Sequence, residues 1–331
     1  MCAVKAVLDY FFVGKDTEIS ISKAVRGENI MVQYAAGIVL YNPDINRLEK
    51  NLEAICSQVK NVYCFNNGLE NEMAVEILFR KYTNIYMVGD GTNVGIATAL
   101  NELIKKAKED NTEWILTLDQ DSVVCEGMVE SLASIKDEKD VAIICPVIED
   151  VRRKNEAPAV AKNTIDDVDF CITSGSFMNV EKALAIGGFD DWLFIGLVDN
   201  EICYRIKLNG YRIVRNNAVI LNHELGNLRP AKFEKLYLSF GRMLHSETIK
   251  KLSYKREVNP MRLYYATRNM FYLKKRYVNY MNTAMWNKMI IKNSISSIIR
   301  GGVRPNLLKA IFAGIRDGSS IKVEPFVAQK K

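Results

Sequence analysis

The chain has 331 residues, of which 48% are apolar and 25% charged, so it can form two domains or one large α/β domain and does not have the composition of a disordered protein. The net charge is +6, and Lys and Arg concentrate between Arg229 and Arg276, which predicts an anionic partner (phosphate, a membrane surface or nucleic acid) unless this is merely a solvated helix face. The 7 Cys form no C-x-x-C pair, so we expect reduced thiols in the cytoplasm and no zinc ribbon. No run of about 18 apolar residues occurs, so we expect no membrane span.

An alternation of apolar runs and amphipathic stretches begins near residue 34, after a segment that does not share this rhythm. The apolar runs predict strands at 35–41, 61–65, 84–88, 114–118 and 141–145. The amphipathic stretches predict helices near 44–58, 71–82, 95–109 and 126–136. Strands separated by helices indicate βαβ units and a Rossmann-like, mainly parallel sheet flanked by helices.

The pattern changes after residue 150. Residues 168–179 look extended, a helix is predicted near 200–209, and residues 211–221 read as a strand. From about 230 to 316 the pattern is helical, with a break at Gly301. We therefore expect an N-terminal appendage at 1–33, an α/β domain at 34–228 with halves at about 34–122 and 123–228, and a basic helical region at 229–331.

Two carboxylates follow the fourth predicted strand, in the segment WILTLDQDSVV. Asp119 and Asp121 would lie at the carboxyl edge of the sheet, where such folds bind ligands. Mg²⁺ and Mn²⁺ prefer carboxylate oxygens, and such a cation would neutralise the diphosphate of a nucleotide donor. The alternative is structural, because Asp and Ser also form turns and cap helices.

His223 and Asp199 are further candidates. His223 follows a predicted strand and could be a metal ligand, or a histidine without a role. Asp199 precedes a predicted helix and could be its N-cap, a general base, or both. Asp190, Asp191 and Glu201 are rival carboxylates that spacing alone does not exclude.

The segment GDGTNVGIATALN at 89–101 has the glycine pattern of a loop that binds pyrophosphate, which keeps a nicotinamide-dependent oxidoreductase as a remote alternative. The loop follows the third predicted strand, however, whereas a dinucleotide fold carries it after the first.

Several short motifs, taken in order, resemble the family-two inverting glycosyltransferases with the GT-A fold, and most of all their rhamnosyltransferase branch. The resemblance extends from about Tyr34 to Gly318. The motifs that carry it are VLYNP at 39–43, CFNNG at 64–68, NVGIA at 93–97, DQD at 119–121, SGS at 174–176, GGFD at 187–190, VDNEICYR at 198–205, His223 with Gly226, RLYYATRN at 262–269 and GIRDG at 314–318.

The resemblance implies a role for each matching residue. It makes Asp199 the catalytic base. It implies a divalent cation, Mg²⁺ or Mn²⁺, on Asp121 and His223, with Asp119 on the cation or the ribose. Donor contacts are implied for Tyr41, Asn66, Asn93, Asp119 and Arg268, and acceptor contacts for Ser174, Gly175 and Asp190.

The same resemblance implies an activity and a location. A sugar, with rhamnose on deoxythymidine diphosphate favoured, would move with inversion onto a hydroxyl of a glycan or polyprenyl-linked saccharide in cell-surface polysaccharide synthesis. The family's usual Asp is Asn66 here, which leaves room for a uridine diphosphate donor. We expect a cytoplasmic protein, peripheral at the inner face of the membrane, and no nucleic-acid partner. A non-catalytic GT-A domain that binds a sugar nucleotide or a partner enzyme is the alternative.

Overall fold

The computed structural model describes residues 34–149, 164–222, 228–231, 233–250, 253–256, 258–302 and 304–328, all within one unit, Gln33–Lys331. The predicted appendage at 1–33 and the predicted metal ligand His223 lie outside the described residues. The proposed boundary between 34–228 and 229–331 stays a prediction.

The first half of the sheet is parallel, as the sequence predicts. Its strands lie side by side in the order β3-β2-β1-β4. They are β1 (Ala35–Leu40), β2 (Asn61–Asn66), β3 (Ile85–Val88) and β4 (Trp114–Asp119). Because all four run the same way, their carboxyl ends share one edge of the sheet.

Helices connect these strands and cover both faces of the sheet. They are α1 (Ile45–Ile55), α2 (Glu72–Phe79), α3 (Ile96–Glu109) and α4 (Met128–Ala133). The first begins where the side chain of Asp44 accepts a hydrogen bond from the Arg47 N–H at 3.0 Å. Buried residues of α1, α2 and α4 pack on one face of the sheet, and those of α3 pack on the other.

The second half of the sheet contains antiparallel strands. The order continues β4-β7-β5-β8-β6, with β7 antiparallel to both of its neighbours and β6 antiparallel to β8. The added elements are β5 (Val141–Glu149), β6 (Ile165–Asp167), β7 (Ser176–Asn179), α5 (Val180–Ala185), α6 (Val198–Leu208) and β8 (Arg212–Asn222). The predicted extended run 168–179 is a strand only from Ser176, because the chain turns at Gly175, whose φ is +86°.

The C-terminal region is mostly helical, as predicted. Its elements are β9 (Leu228–Pro230), α7 (Glu234–Met243), α8 (Glu247–Lys250), β10 (Tyr254–Arg256), α9 (Pro260–Arg276), α10 (Thr283–Gly301) and α11 (Pro305–Ser320). The helical pattern predicted from about residue 230 was wrong at β10, which pairs with β9 in a small antiparallel ladder. Among the described residues, no helix has both the length and the apolar character needed to cross a membrane.

Two glycines of the GIRDG motif bring α11 close to α9. A Cβ atom at Gly314 would lie 2.8 Å from the Thr267 Cβ and 2.8 Å from the Tyr264 carbonyl oxygen. A Cβ atom at Gly318 would lie 2.7 Å from the Phe271 Cβ. The motif therefore serves close packing of two helices.

Candidate active site

The DQD turn lies at the carboxyl end of β4, next to the end of β1. Gln120 fixes it, because its amide accepts a hydrogen bond from the Tyr41 N–H at 2.9 Å and donates one to the Tyr41 carbonyl at 3.2 Å. The Asn51 amide donates to the Asp119 carbonyl at 2.8 Å. With the Gln120 side chain and the backbone held in this way, the carboxylates of Asp119 and Asp121 remain exposed at the sheet edge.

The SGS motif supports this turn from below. Ser174 is 1% exposed, and its hydroxyl accepts a hydrogen bond from the Asp119 N–H at 3.1 Å and lies 2.7 Å from the Ser122 hydroxyl. The Gly175 N–H donates to the Thr117 carbonyl at 2.8 Å. Both residues hold the DQD turn in this structure, so the acceptor contacts implied for them stay a prediction.

The donor set of the DQD turn fits a hard divalent cation. Asp121 and Asp119 offer exposed carboxylate oxygens on one turn, and the described residues contain no group of three His, Cys, Asp or Glu side chains that could enclose a metal. A pair of carboxylates suits Mg²⁺ or Mn²⁺, which commonly take their remaining ligands from phosphate and water. The guanidinium of Arg47 on α1 lies 3.7 Å from the Asp121 carboxylate.

Asp199 lies in the first turn of α6 and is half-buried. Its carboxylate accepts a hydrogen bond from the Asn200 N–H at 2.9 Å. Burial raises the pKa of Asp199, and the negative charge of Asp119 raises it further. The N-cap role considered from the sequence was wrong, because Leu197, with a φ of +63°, holds that position.

The rival carboxylates are occupied by other groups. Asp190, 8% exposed at its side chain, accepts a hydrogen bond from the Tyr272 hydroxyl at 2.7 Å and lies 3.2 Å from the Arg276 Nε. Glu201 forms a buried ion pair with Arg205 at 2.7 Å. Both tie their segment to the surrounding helices, and the acceptor contact implied for Asp190 stays a prediction.

Asp191 is also hydrogen-bonded, to side chains of α3. It accepts hydrogen bonds from the Asn101 amide at 2.7 Å and the Thr98 hydroxyl at 3.1 Å. Sequence spacing left four carboxylates open. Of these, Asp199 is half-buried and, among the described hydrogen bonds, accepts from a backbone N–H and from no side chain.

The implied nucleotide-binding residues differ in their exposure. The Tyr41 ring, 53% exposed, and the exposed Asn93 lie beside Gly68, where an added Cβ would be 3.7 Å from the ring and 3.4 Å from the Asn93 Cβ. Asn66 is 3% exposed, and its amide donates to the Glu72 carboxylate at 3.0 Å. Tyr41 and Asn93 thus border one surface, whereas Asn66 supports it from inside.

The basic and aromatic motif RLYYATRN lies on α9 against the loop that precedes α6. The Arg268 guanidinium lies 3.8 Å from the Trp192 ring centroid and 4.7 Å from that of Tyr265. It also donates to the Trp192 carbonyl at 3.0 Å. Its implied donor contact stays a prediction, since the contacts described are with this loop and its own helix.

The buried Asn269 amide also holds the loop that precedes α6, because it donates to the carbonyls of Ile195 and Gly196 at 3.0 and 2.8 Å.

Sequence reasoning missed Asn269 and also missed Gln120, Asn51 and Arg47. An amide between two carboxylates was the one local signal that could have drawn attention to Gln120, and the other three depend on contacts between segments distant in sequence.

Comparison with known proteins finds a similar family. Residues 36–187 match the family model for glycosyl transferase family 2. Over this segment, which holds the parallel half of the sheet and the DQD turn, the chain is similar to the glycosyltransferases of that family.

Individual proteins resemble the chain as well. The chain is 26% identical over 257 residues to the dTDP-rhamnosyl transferase RfbF of Shigella flexneri, a match that covers 73% of this chain and 79% of the relative. Among solved structures, GalNAc-T7 with UDP, GalNAc and Mn²⁺ matches with a TM-score of 0.54 and 12% identity, over 88% of this chain. This chain spans 55% of the GalNAc-T7 chain, and the likeness confirms the GT-A fold alone.

Proposed function

We propose that this protein is a glycosyltransferase that moves a sugar from a nucleotide-diphosphate donor to an acceptor hydroxyl, with inversion at the anomeric carbon. The observation that carries the proposal is the exposed pair Asp119 and Asp121 at the carboxyl end of β4, with the half-buried Asp199 following a loop that reaches the same edge of the sheet. In that loop the Phe194 carbonyl accepts a hydrogen bond from the Ile96 N–H at the start of α3, at 2.8 Å. The matched family and the relative's name support the binding of a sugar nucleotide at this edge.

The DQD turn would hold the donor diphosphate through a divalent cation. Asp121 and Asp119 supply carboxylate ligands, and His223 is the proposed third ligand. A bound cation would offset the charge that builds on the leaving diphosphate. GalNAc-T7, with the same fold, is crystallised with Mn²⁺ and UDP, which supports this cofactor class.

Asp199 would act as the general base. Removal from water raises its pKa, which makes its carboxylate a stronger proton acceptor than an ordinary aspartate. The acceptor oxygen bonds to the anomeric carbon as the bond to the diphosphate oxygen breaks, and the hydroxyl proton passes to Asp199. One displacement inverts the anomeric configuration and needs no covalent enzyme intermediate.

For the donor we propose deoxythymidine diphosphate rhamnose, because the curated relative is named a dTDP-rhamnosyl transferase. The exposed surface bordered by Tyr41 and Asn93 is the proposed base and ribose site. A uridine diphosphate sugar is the second candidate, since Asn66 stands where the family usually has Asp. The proposed acceptor is a glycan or lipid-linked saccharide used for cell-surface polysaccharide.

A panel of sugar nucleotides tests the proposal. We expect deoxythymidine diphosphate rhamnose to raise the melting temperature more than other donors, and Mn²⁺ or Mg²⁺ to increase the shift. Slow release of the nucleotide in the same mixture would distinguish an enzyme from a non-catalytic binding domain. Stabilisation by nicotinamide dinucleotides and by no sugar nucleotide would contradict the proposal.

A further inference from the structure

Helix α10 presents two contrasting faces. Its inner face packs Trp286 and Ile290 into the main core, where each is 6% exposed. The other face is 38 to 61% exposed at five large apolar side chains. These side chains are Met285, Met289, Ile291, Ile295 and Ile299, and we call them, with Lys288 and Lys292, the α10 face.

The spacing of these residues makes the α10 face continuous. Ile291, Ile295 and Ile299 follow each other at intervals of four, so they line up along one side of the helix. Lys288 and Lys292 lie between them and are exposed. An apolar stripe of this size, left uncovered in the described structure, is typical of a surface that meets another body.

The charge of α10 indicates what that body is. No Asp or Glu occurs from Thr283 to Gly301, so the exposed lysines have no acidic neighbour within the helix. Two copies of the chain meeting through this face would bring lysines against lysines, which opposes self-association. Apolar side chains with interspersed lysines suit a surface that is apolar inside and anionic outside, as a bilayer of acidic lipids is.

Helix α7 also exposes large apolar side chains, at Leu236, Phe240 and Met243. It has 10 residues against 19 in α10, and it begins with Glu234. The shorter length and the acidic residue make it the weaker candidate for an anionic surface.

We propose that α10 lies in the plane of an anionic bilayer, with its isoleucines and methionines in the interface and Lys288 and Lys292 on the lipid phosphates. The long lysine side chains can keep their ammonium groups at the headgroups while their carbon chains cover apolar surface. The anionic partner expected from the basic segment Arg229–Arg276 stays a prediction, and the contact proposed here lies on the helix that follows this segment.

Vesicle sedimentation of the full chain tests this proposal. We expect binding to vesicles of phosphatidylcholine with about one third phosphatidylglycerol, little binding to phosphatidylcholine alone, and release by salt. The double substitution Lys288→Gln with Lys292→Gln should weaken binding about thirtyfold, because each lysine near an anionic surface contributes about fivefold. The triple substitution Ile291→Ser, Ile295→Ser and Ile299→Ser should weaken it at least about tenfold.

A matched control separates the α10 face from net charge. Lys50→Gln with Lys139→Gln removes two exposed lysines from the α/β domain and should leave binding within about threefold of the wild type. Melting temperatures and donor turnover should stay unchanged in all variants, because these side chains are exposed and none of them belongs to the proposed donor, acceptor or metal site. The binding result is therefore independent of the proposed sugar transfer.

Any of four results would overturn the proposal. The first is that the wild-type chain fails to bind anionic vesicles, and the second is that the control variant loses as much vesicle binding as the α10 lysine variant. The third is that vesicle binding is lost on substitution of Leu236, Phe240 and Met243 and kept in the α10 variants. The fourth is that sedimentation without lipid shows a dimer, which the isoleucine variant dissociates.

Discussion

Asp199 differs from its neighbouring carboxylates in what surrounds it. Asp190 and Glu201 are held by arginine or tyrosine side chains, and Asp191 by the Asn101 amide and the Thr98 hydroxyl. Asp199 has a backbone N–H and the negative charge of Asp119 nearby. A carboxylate that already holds side-chain donors is less available to a substrate hydroxyl, so the proposal gives the role of base to Asp199.

The substitution Asp199→Asn should reduce turnover at least about a hundredfold while donor affinity changes little, because the base acts on the acceptor. Steady-state kinetics and calorimetric donor binding measure the two effects. Asp191→Asn is the matched control and should keep turnover within a few-fold of the wild type. Full activity in Asp199→Asn, or its loss in Asp191→Asn alone, would give the base to another residue.

The pH dependence of turnover follows from the raised pKa of Asp199. A raised pKa keeps this carboxyl protonated to a higher pH than an ordinary aspartic acid, and the base works only when deprotonated. Activity should therefore fall as the pH decreases through a value above the usual 3.8 of aspartic acid. The residual activity of Asp199→Asn should lack this limb, and a limb that persists there would belong to another group.

Arg47 and a divalent cation should compete for Asp121. Since the guanidinium lies 3.7 Å from this carboxylate, Arg47→Met should tighten Mn²⁺ binding by up to about fivefold, the range expected for an exposed ion pair. Electron spin resonance of free Mn²⁺ measures this directly. The exposed Arg80→Met serves as the control and should bind Mn²⁺ as the wild type does. Unchanged or weaker binding in Arg47→Met would exclude the competition.

At the scale of elements, α9 acts as a support for the loop that leads to Asp199. Asn269 holds two carbonyls of that loop, and Arg268 stacks on Trp192 within it. The RLYYATRN motif thus has a local structural reason that does not require contact with the donor.

The substitution Asn269→Leu should lower both stability and turnover. It leaves the Ile195 and Gly196 carbonyls without their donor, at a cost of about 1 to 3 kcal/mol, and frees the segment before Asp199. Donor affinity should change little, because the strand-end residues are untouched. Thr267→Val on the same helix is the control: its hydroxyl donates to Leu263 within α9, so turnover should persist. Wild-type turnover in Asn269→Leu would contradict the supporting role.

The packing of α11 on α9 depends on the absence of a side chain at Gly314. Gly314→Ala should reduce the free energy of unfolding by about 1 to 3 kcal/mol, because its Cβ would lie 2.8 Å from the Thr267 Cβ and the Tyr264 carbonyl. Urea unfolding measures the loss. Ser319→Ala, at an exposed site of α11, should change the free energy of unfolding little. Equal free energies of unfolding in the two variants would contradict the close packing of the helices at Gly314.

The elements with a strong local pattern were predictable from sequence. The apolar runs that became β1, β2 and β4 are inner strands of the sheet, and hydrophobic periodicity indicates the helices that connect them. The ladder of β9 and β10 and the antiparallel β7 were not predictable, because their pairing depends on partners far along the chain. The Asn269 support is hidden from sequence reasoning for the same reason.

At the scale of the whole molecule, the parallel half of the sheet brings together what the sequence separates. The ends of β1, β2 and β4 carry Tyr41, Asn66 and the DQD turn, while α6 contributes Asp199. The convergence of Asp121, Asp199 and His223 on one pocket stays a prediction, and the charge of Asp119 adds to burial in raising the pKa of Asp199. The local contacts that hold each of these residues in place could not be predicted from the sequence, because they join segments that meet only in the folded chain.

A crystal structure with deoxythymidine diphosphate and Mn²⁺ is the most direct test of the proposed site. We predict the ion bonded to Asp121 and to a phosphate oxygen, the base beside Tyr41 and Asn93, and the Asp199 carboxylate facing the space beyond the diphosphate. A nucleotide bound away from the DQD turn, or an ion held without Asp121, would contradict the proposed metal-dependent transfer at this edge of the sheet.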